Sequence, residues 1–127
     1  MVFDTCLLID LQRELRKGTQ DRAWRFLREA TGPFFISLIT REEFLEGFNN
    51  DQRPFAEQFL QPYRVIVPGP ESAWTCSRLL RRARETGTPM SDHDAWIATS
   101  CLEEDLPLVT RNLAHFSPVP GLRCIGY

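Results

Sequence analysis

Met1-Val-Phe-Asp-Thr-Cys-Leu-Leu8 is an apolar run broken once, at Asp4. Its length and flanks read as a short buried strand. A carboxylate inside such a strand is costly to bury unless a cation or hydrogen-bond donors meet it. Residues 9–17 have helical composition and end at Gly18, a residue suited to the position just past a helix.

The pattern repeats outward from this unit. Residues 21–30 carry Ala23, Trp24, Leu27 and Ala30 at helical spacing, and Gly32-Pro33 stops them. Residues 34–38 (FFISL) read as a second strand, Thr40 opens a helix to about Phe48, and Pro54 starts a short helix to Leu60. Residues 63–67 (YRVIV) give a third strand. After Pro68-Gly69-Pro70 comes a helix over 71–85, with Ala73, Cys76, Leu79, Leu80 and Ala83 on one face and Arg78, Arg81 and Arg82 on the other. Ser91 opens a further helix to about Glu103, residues 106–110 (LPLVT) give a fourth strand, and residues 122–125 a fifth. Strands alternating with helices predict an α/β class fold, a three-layer α/β/α arrangement around a central parallel sheet. Sites in such sheets form beyond the carboxyl ends of the strands.

The 127 residues suit a single domain, 1–127, and the 43% hydrophobic and 25% charged content is that of a globular chain. Cys6, Cys76, Cys101 and Cys124 show no paired spacing and read as reduced, packed thiols. Neither a signal segment nor a membrane span is present, so the expected location is cytoplasmic. A formal net charge of −2 argues against coating long nucleic acid by bulk charge, but not against an acidic pocket that bound cations would invert.

Three acids sit where the chemistry should be. Asp4 interrupts the first strand; read structurally, it is an acid leading a helix and capped by amides. Glu43 falls in Thr40-Arg-Glu-Glu43 and Asp94 in Ser91-Asp-His-Asp94. Each tetrapeptide also fits a capping box, a purely structural role. The topology nevertheless gathers all three on one sheet edge, where clustered carboxylates repel unless a hard divalent cation joins them. All-oxygen ligation suits Mg²⁺ or Mn²⁺, which activate water and stabilise charge on a phosphodiester.

Four segments carry a resemblance: Val2-Phe-Asp4-Thr-Cys-Leu-Leu-Ile9, Ile39-Thr-Arg-Glu-Glu43-Phe-Leu-Glu-Gly47, Asp94-Ala-Trp-Ile-Ala98, and Leu108-Val-Thr-Arg-Asn112 with Phe116 and Pro120-Gly-Leu122. In this order the chain resembles the PIN-domain ribonucleases, and especially VapC-like toxins of type II toxin-antitoxin systems. The resemblance implies a metal-dependent endoribonuclease cutting RNA, with Asp4, Glu43 and Asp94 as catalytic and metal residues. By the same resemblance Thr5, Thr110 and Asn112 are to support them or touch substrate; Asn112, a neutral oxygen donor, stands where many relatives carry a fourth polar or acidic group. It also implies a homodimer inhibited by a cognate antitoxin. Asp92 competes with Asp94, and Glu42 with Glu43, but the motif phase favours Asp94 and Glu43.

The alternative class is a non-cleaving module of the same fold that binds RNA or a partner; stabilisation by divalent cations separates the two. His93-Asp94 lacks the upstream histidines of a metal phosphohydrolase, so His93 reads as an exposed helix-start residue and His115 as a solvated loop residue. The arginines 78, 81, 82 and 84 read as a solvated face. Arg41 and Arg111, near the proposed site, are candidates to position RNA phosphates.

Overall fold

In the computed structural model, which describes residues 1–127, the opening run divides at Asp4. Strand β1 is Val2–Phe3 and helix α1 is Thr5–Lys17, whereas the sequence predicts a strand reaching Leu8. Asp4 is extended (φ −74°, ψ 156°) and its carboxylate accepts from the Thr5 amide, so a helix cap is available four residues early. Leu7, Leu8 and Leu11 then share one buried helical face. An apolar run this short does not distinguish strand from helix, and the cap decides. At the far end Gly18 takes the left-handed conformation (φ 67°) that closes the helix.

The remaining elements are α2 (Arg22–Glu29), β2 (Phe35–Ser37), α3 (Leu38–Glu46), a 3₁₀ turn (Asn50–Gln52), α4 (Arg53–Leu60), β3 (Arg64–Ile66), α5 (Ser72–Glu85), α6 (Asp92–Glu103), β4 (Leu108–Val109), α7 (Leu113–Phe116) and β5 (Cys124–Ile125). Helix α3 starts two residues before Thr40 because Ser37 is its cap, accepting from the Thr40 amide at 2.9 Å. Helix α7 has no counterpart in the sequence reading. It is a single turn, too short to show periodicity.

Helix α2 is held from outside. Its first residues have no side-chain cap of their own. Instead Glu14, 7% exposed on α1, accepts from the amides of Asp21, Ala23 and Trp24 at 3.1, 3.1 and 2.9 Å. A buried carboxylate thus meets the amides and positive dipole end that a helix start leaves unsatisfied.

The five strands form one fully parallel sheet in the order β3-β2-β1-β4-β5. Val2 pairs with Phe35 and Leu108, and Phe3 with Ile36 and Val109. Successive residues of a strand point to opposite faces, and two cores result. Phe3, Ile36 and Val109 pack with Leu7, Leu8 and Leu11 of α1 and Phe44 of α3. Val2 and Leu108 pack with Ile97, Ala98 and Cys101 of α6 and with Phe116. Helices therefore cover both faces, giving the three layers the sequence predicts. No helix is long and apolar enough to cross a membrane.

The chain moves from β1 to β2 and β3 on one side, then crosses back to lay β4 and β5 on the other. The order reverses between β1 and β4, the kind of switch point at which open α/β sheets bind ligands. Asp4 follows β1 and Thr110 follows β4 at that point.

Candidate active site

Asp4 is the most constrained of the three acids. It is 7% exposed and has no Lys or Arg within ion-pair distance. Its Oδ1 accepts from the Thr5 amide at 2.8 Å, while Oδ2 accepts from the Thr110 hydroxyl at 2.6 Å and the Cys6 thiol at 3.0 Å. Burial raises its pKa above the usual carboxylate range; the three donors pull it down, and the charge of Asp94 adds to the rise. Cys6 is pushed up as well, by burial and then by the Asp4 charge, so the thiol keeps the proton it donates.

Asp94, in the first turn of α6, is close enough for Asp4 to feel its charge. Ser91 caps the helix by accepting from the Asp94 amide at 3.0 Å, and this uses only Asp94's main chain. Half of the capping box is thus real, and the carboxylate is not part of it. The nearest basic side chain is His115 of α7, with Nδ1 3.8 Å from Asp94 Oδ2. Asp92 is exposed, and its charge is felt at His93 and Cys76 rather than at Asp4.

Glu43 approaches through Thr5. The Thr5 hydroxyl donates to Glu43 Oε2, and His93 Nδ1 donates to Oε1 at 2.8 Å. Glu43 lies well inside α3, whose cap is Ser37, so the capping role open to it in the sequence is excluded. The neighbouring Glu42 points to solvent. Glu43→Gln is therefore expected to leave the midpoint of thermal unfolding unchanged to within about 1 °C, whereas Ser37→Ala, which removes the true cap, should cost about 1 kcal/mol, a fall of roughly 3 °C. Paired melting curves check both.

The six predicted residues are not all drawn in. Asp4, Thr5 and Thr110 gather at the β1/β4 switch, with Glu43 joined to them by Thr5 and Asp94 near enough for its charge to reach Asp4. Asn112 contributes its main-chain amide, which donates to Thr110 Oγ1 at 2.9 Å, and its side chain makes no hydrogen bond there. Its part is to orient Thr110. No three His, Cys, Asp or Glu side chains are close enough together to enclose a metal ion: Asp4 and Asp94 form one acidic pair, and Glu43 is turned toward His93. The donor chemistry still suits a hard cation. Two carboxylates repel without a Lys or Arg to neutralise them, and Glu43 is held by an exposed histidine it can exchange.

The arginines differ from expectation. Arg41 is paired with Glu57, and Arg111 Nη1 lies 2.6 Å from Asp10 Oδ2. Both guanidiniums are committed to carboxylates before any phosphate arrives.

A family profile for the PIN domain matches residues 1–121. The chain belongs to the PIN domain family. Among relatives of this PIN domain, Ribonuclease VapC1 of Methanocaldococcus jannaschii is 26% identical over 117 residues, covering 91% of this chain and 78% of its own. A toxin-antitoxin complex from Klebsiella pneumoniae contains a chain with TM-score 0.72 and 27% identity, covering 95% of this chain and 93% of that one. VapBC2 of Rickettsia felis, solved with a promoter DNA fragment, has TM-score 0.82 at 20% identity, covering 100% and 99% of the two chains. That last likeness establishes the fold.

Three residues of this PIN domain's site escaped the sequence reading. Cys6 looks like a packed thiol until the strand ends at Phe3 and turns it toward Asp4. His115 looks like a loop residue because α7 is one turn long. His93 had a signal, its adjacency to Asp94, but its partner proves to be Glu43, 50 residues away.

Proposed function

We propose that this PIN domain, a single unit over residues 1–127, is an Mg²⁺- or Mn²⁺-dependent endoribonuclease and the toxin partner of an antitoxin, acting as a homodimer in the cytoplasm. The observation that carries the reading is the pair Asp4–Asp94 by the sheet's switch point: buried or half-buried acids, the charge of Asp94 reaching Asp4, with no Lys or Arg beside them. The ribonuclease relative and the toxin-antitoxin neighbour give the reaction class and the partner.

A divalent cation bound there would activate water and offset the charge that develops on the scissile phosphate. The chain's own part is to hold its acids ready. Thr110, Cys6 and the Thr5 amide fix both oxygens of Asp4, so its carboxylate does not rotate away. Thr5 ties Glu43 to the same locus, and releasing His93 frees Oε1. His115 stands beside Asp94, where its imidazole can donate to a phosphate oxygen or pass a proton to a leaving oxygen.

Purified protein, free of antitoxin, is expected to cut total RNA with Mn²⁺ or Mg²⁺ and to lose that activity in excess EDTA. The divalent ion should also raise its melting temperature, as mass action requires for a ligand of the folded state. Cleavage that survives chelation unchanged would remove the metal mechanism.

A further inference from the structure

With Arg41 and Arg111 committed elsewhere, α1 brings two further cations, Arg13 and Arg16, into one groove with Glu43. Ile9, Gln12, Arg13 and Arg16 follow one another at helical spacing along one wall of a groove whose other wall is α3 and the 3₁₀ turn. The groove is lined also by Glu43 itself. It holds about 360 Å³ of solvent space, and its far wall is lowered at Gly47, where no side chain intrudes. Gln52 stands opposite the arginines; its Oε1 is taken by the Asn49 amide, which leaves its NH₂ group as a donor. Arg16 has no acidic partner, and the one contact of Arg13 is a 3.8 Å approach to Asp10 by a side chain 58% exposed.

A run of guanidinium and amide donors in a groove that Glu43 also lines is matched to a polyanion whose phosphate reaches the acids. We infer that this groove is the track for the sugar-phosphate backbone of the RNA beside the cleaved bond, with Arg13 and Arg16 as its phosphate contacts and Gln12 and Gln52 as neutral donors. The inference rests on the nuclease reading above and names where its substrate lies. Phosphate contacts of this kind set register rather than sequence preference. Beyond Arg16 the cleft continues past Leu15, Phe48 and Phe55 with the acid Asp51 beside Gln52, and that half, apolar and acidic, is not part of the track.

The test separates binding from cutting by using Asp94→Asn protein with a short fluorescein-labelled single-stranded oligoribonucleotide, titrated at several salt concentrations. Adding Arg13→Gln and Arg16→Gln is expected to weaken binding at least about fivefold and to flatten the slope of log affinity against log salt by roughly 1.4, about 0.7 for each lost contact to a single strand. Arg13→Lys with Arg16→Lys should restore most of the affinity, which shows that the fold survives replacement at both positions. Arg82→Gln with Arg84→Gln, the same charge change on α5, should leave the slope unchanged. An unaltered slope in the α1 variant, or an equal loss in the α5 variant, overturns the track. So does a variant that binds RNA normally but no longer binds its antitoxin, since the groove would then be a protein's seat. Failure of wild-type protein to cut RNA with Mn²⁺ would count against the nuclease reading alone, because the binding measurement does not require cleavage.

Discussion

Asp94→Asn is expected to lower Mn²⁺-dependent RNA cleavage by at least about 100-fold while leaving the melting temperature of the metal-free protein unchanged or slightly higher. The loss follows from removing one carboxylate of the pair that would hold the cation, whose stabilisation of a phosphoryl transition state is on the order of several kcal/mol, at roughly 1.4 kcal/mol per tenfold in rate. Stability is spared because the Asp94 carboxylate makes no hydrogen bond that folding depends on: the Ser91 cap uses its amide, and the His115 contact is 3.8 Å long. Neutralising it also relieves the charge that Asp4 feels. Cleavage rates and melting curves of Asp94→Asn beside Asp92→Asn decide the matter. Near wild-type cleavage by Asp94→Asn would move the site off this residue, and Asp92→Asn should behave as wild type.

Asp4 is a less clean target than the sequence suggests. There the carboxylate looks replaceable by Asn without structural cost. In the structure Oδ2 accepts from both Thr110 and Cys6, while Thr110 Oγ1 is already accepting from Asn112. An NH₂ group at that position would face donors, so Asp4→Asn joins a loss of activity to a loss of stability of roughly 1–3 kcal/mol.

The contrast shows which features a sequence exposes. Alternating strands and helices, caps such as Ser91 and Gly18, and the order of the acids are local patterns, and local patterns were readable. The β1–α1 boundary was not, because MVFDTCLL is apolar in either conformation and only the Asp4–Thr5 hydrogen bond selects the helix. Nor was the Glu43 environment: Thr40 fits a cap as well as Ser37 does by residue type, and the end of β2 decides between them. Pairings across the fold, such as Arg41 with Glu57, Arg111 with Asp10 and His93 with Glu43, depend on register between elements and leave no trace in spacing.

The largest expected loss of stability lies away from the acids, at Glu14. Glu14→Ala strips three charge-assisted hydrogen bonds from the start of α2 and leaves a buried amide, Ala23, without a partner. The cost should be about 3 kcal/mol, seen as a fall of roughly 10 °C in the melting midpoint. Glu14→Gln should fall between, since its oxygen can still accept while its NH₂ group opposes another donor. A melt of Glu14→Ala within a few degrees of wild type would show that α2 docks through Ala23 and Phe26 packing instead, and that the carboxylate is dispensable.

The hydrogen bond from Thr110 to Asp4 joins residues 106 positions apart. During synthesis, therefore, Asp4 and Glu43 emerge well before the group that fixes the first of them, and Asp94 shortly before it. Until residues 108–110 have been made and β4 has docked beside β1, Asp4 has only its own helix start to hold it, and Asp94 has no settled neighbour. The Asp4 site is thus completed late, by the docking of β4 rather than by the first strand and helix alone.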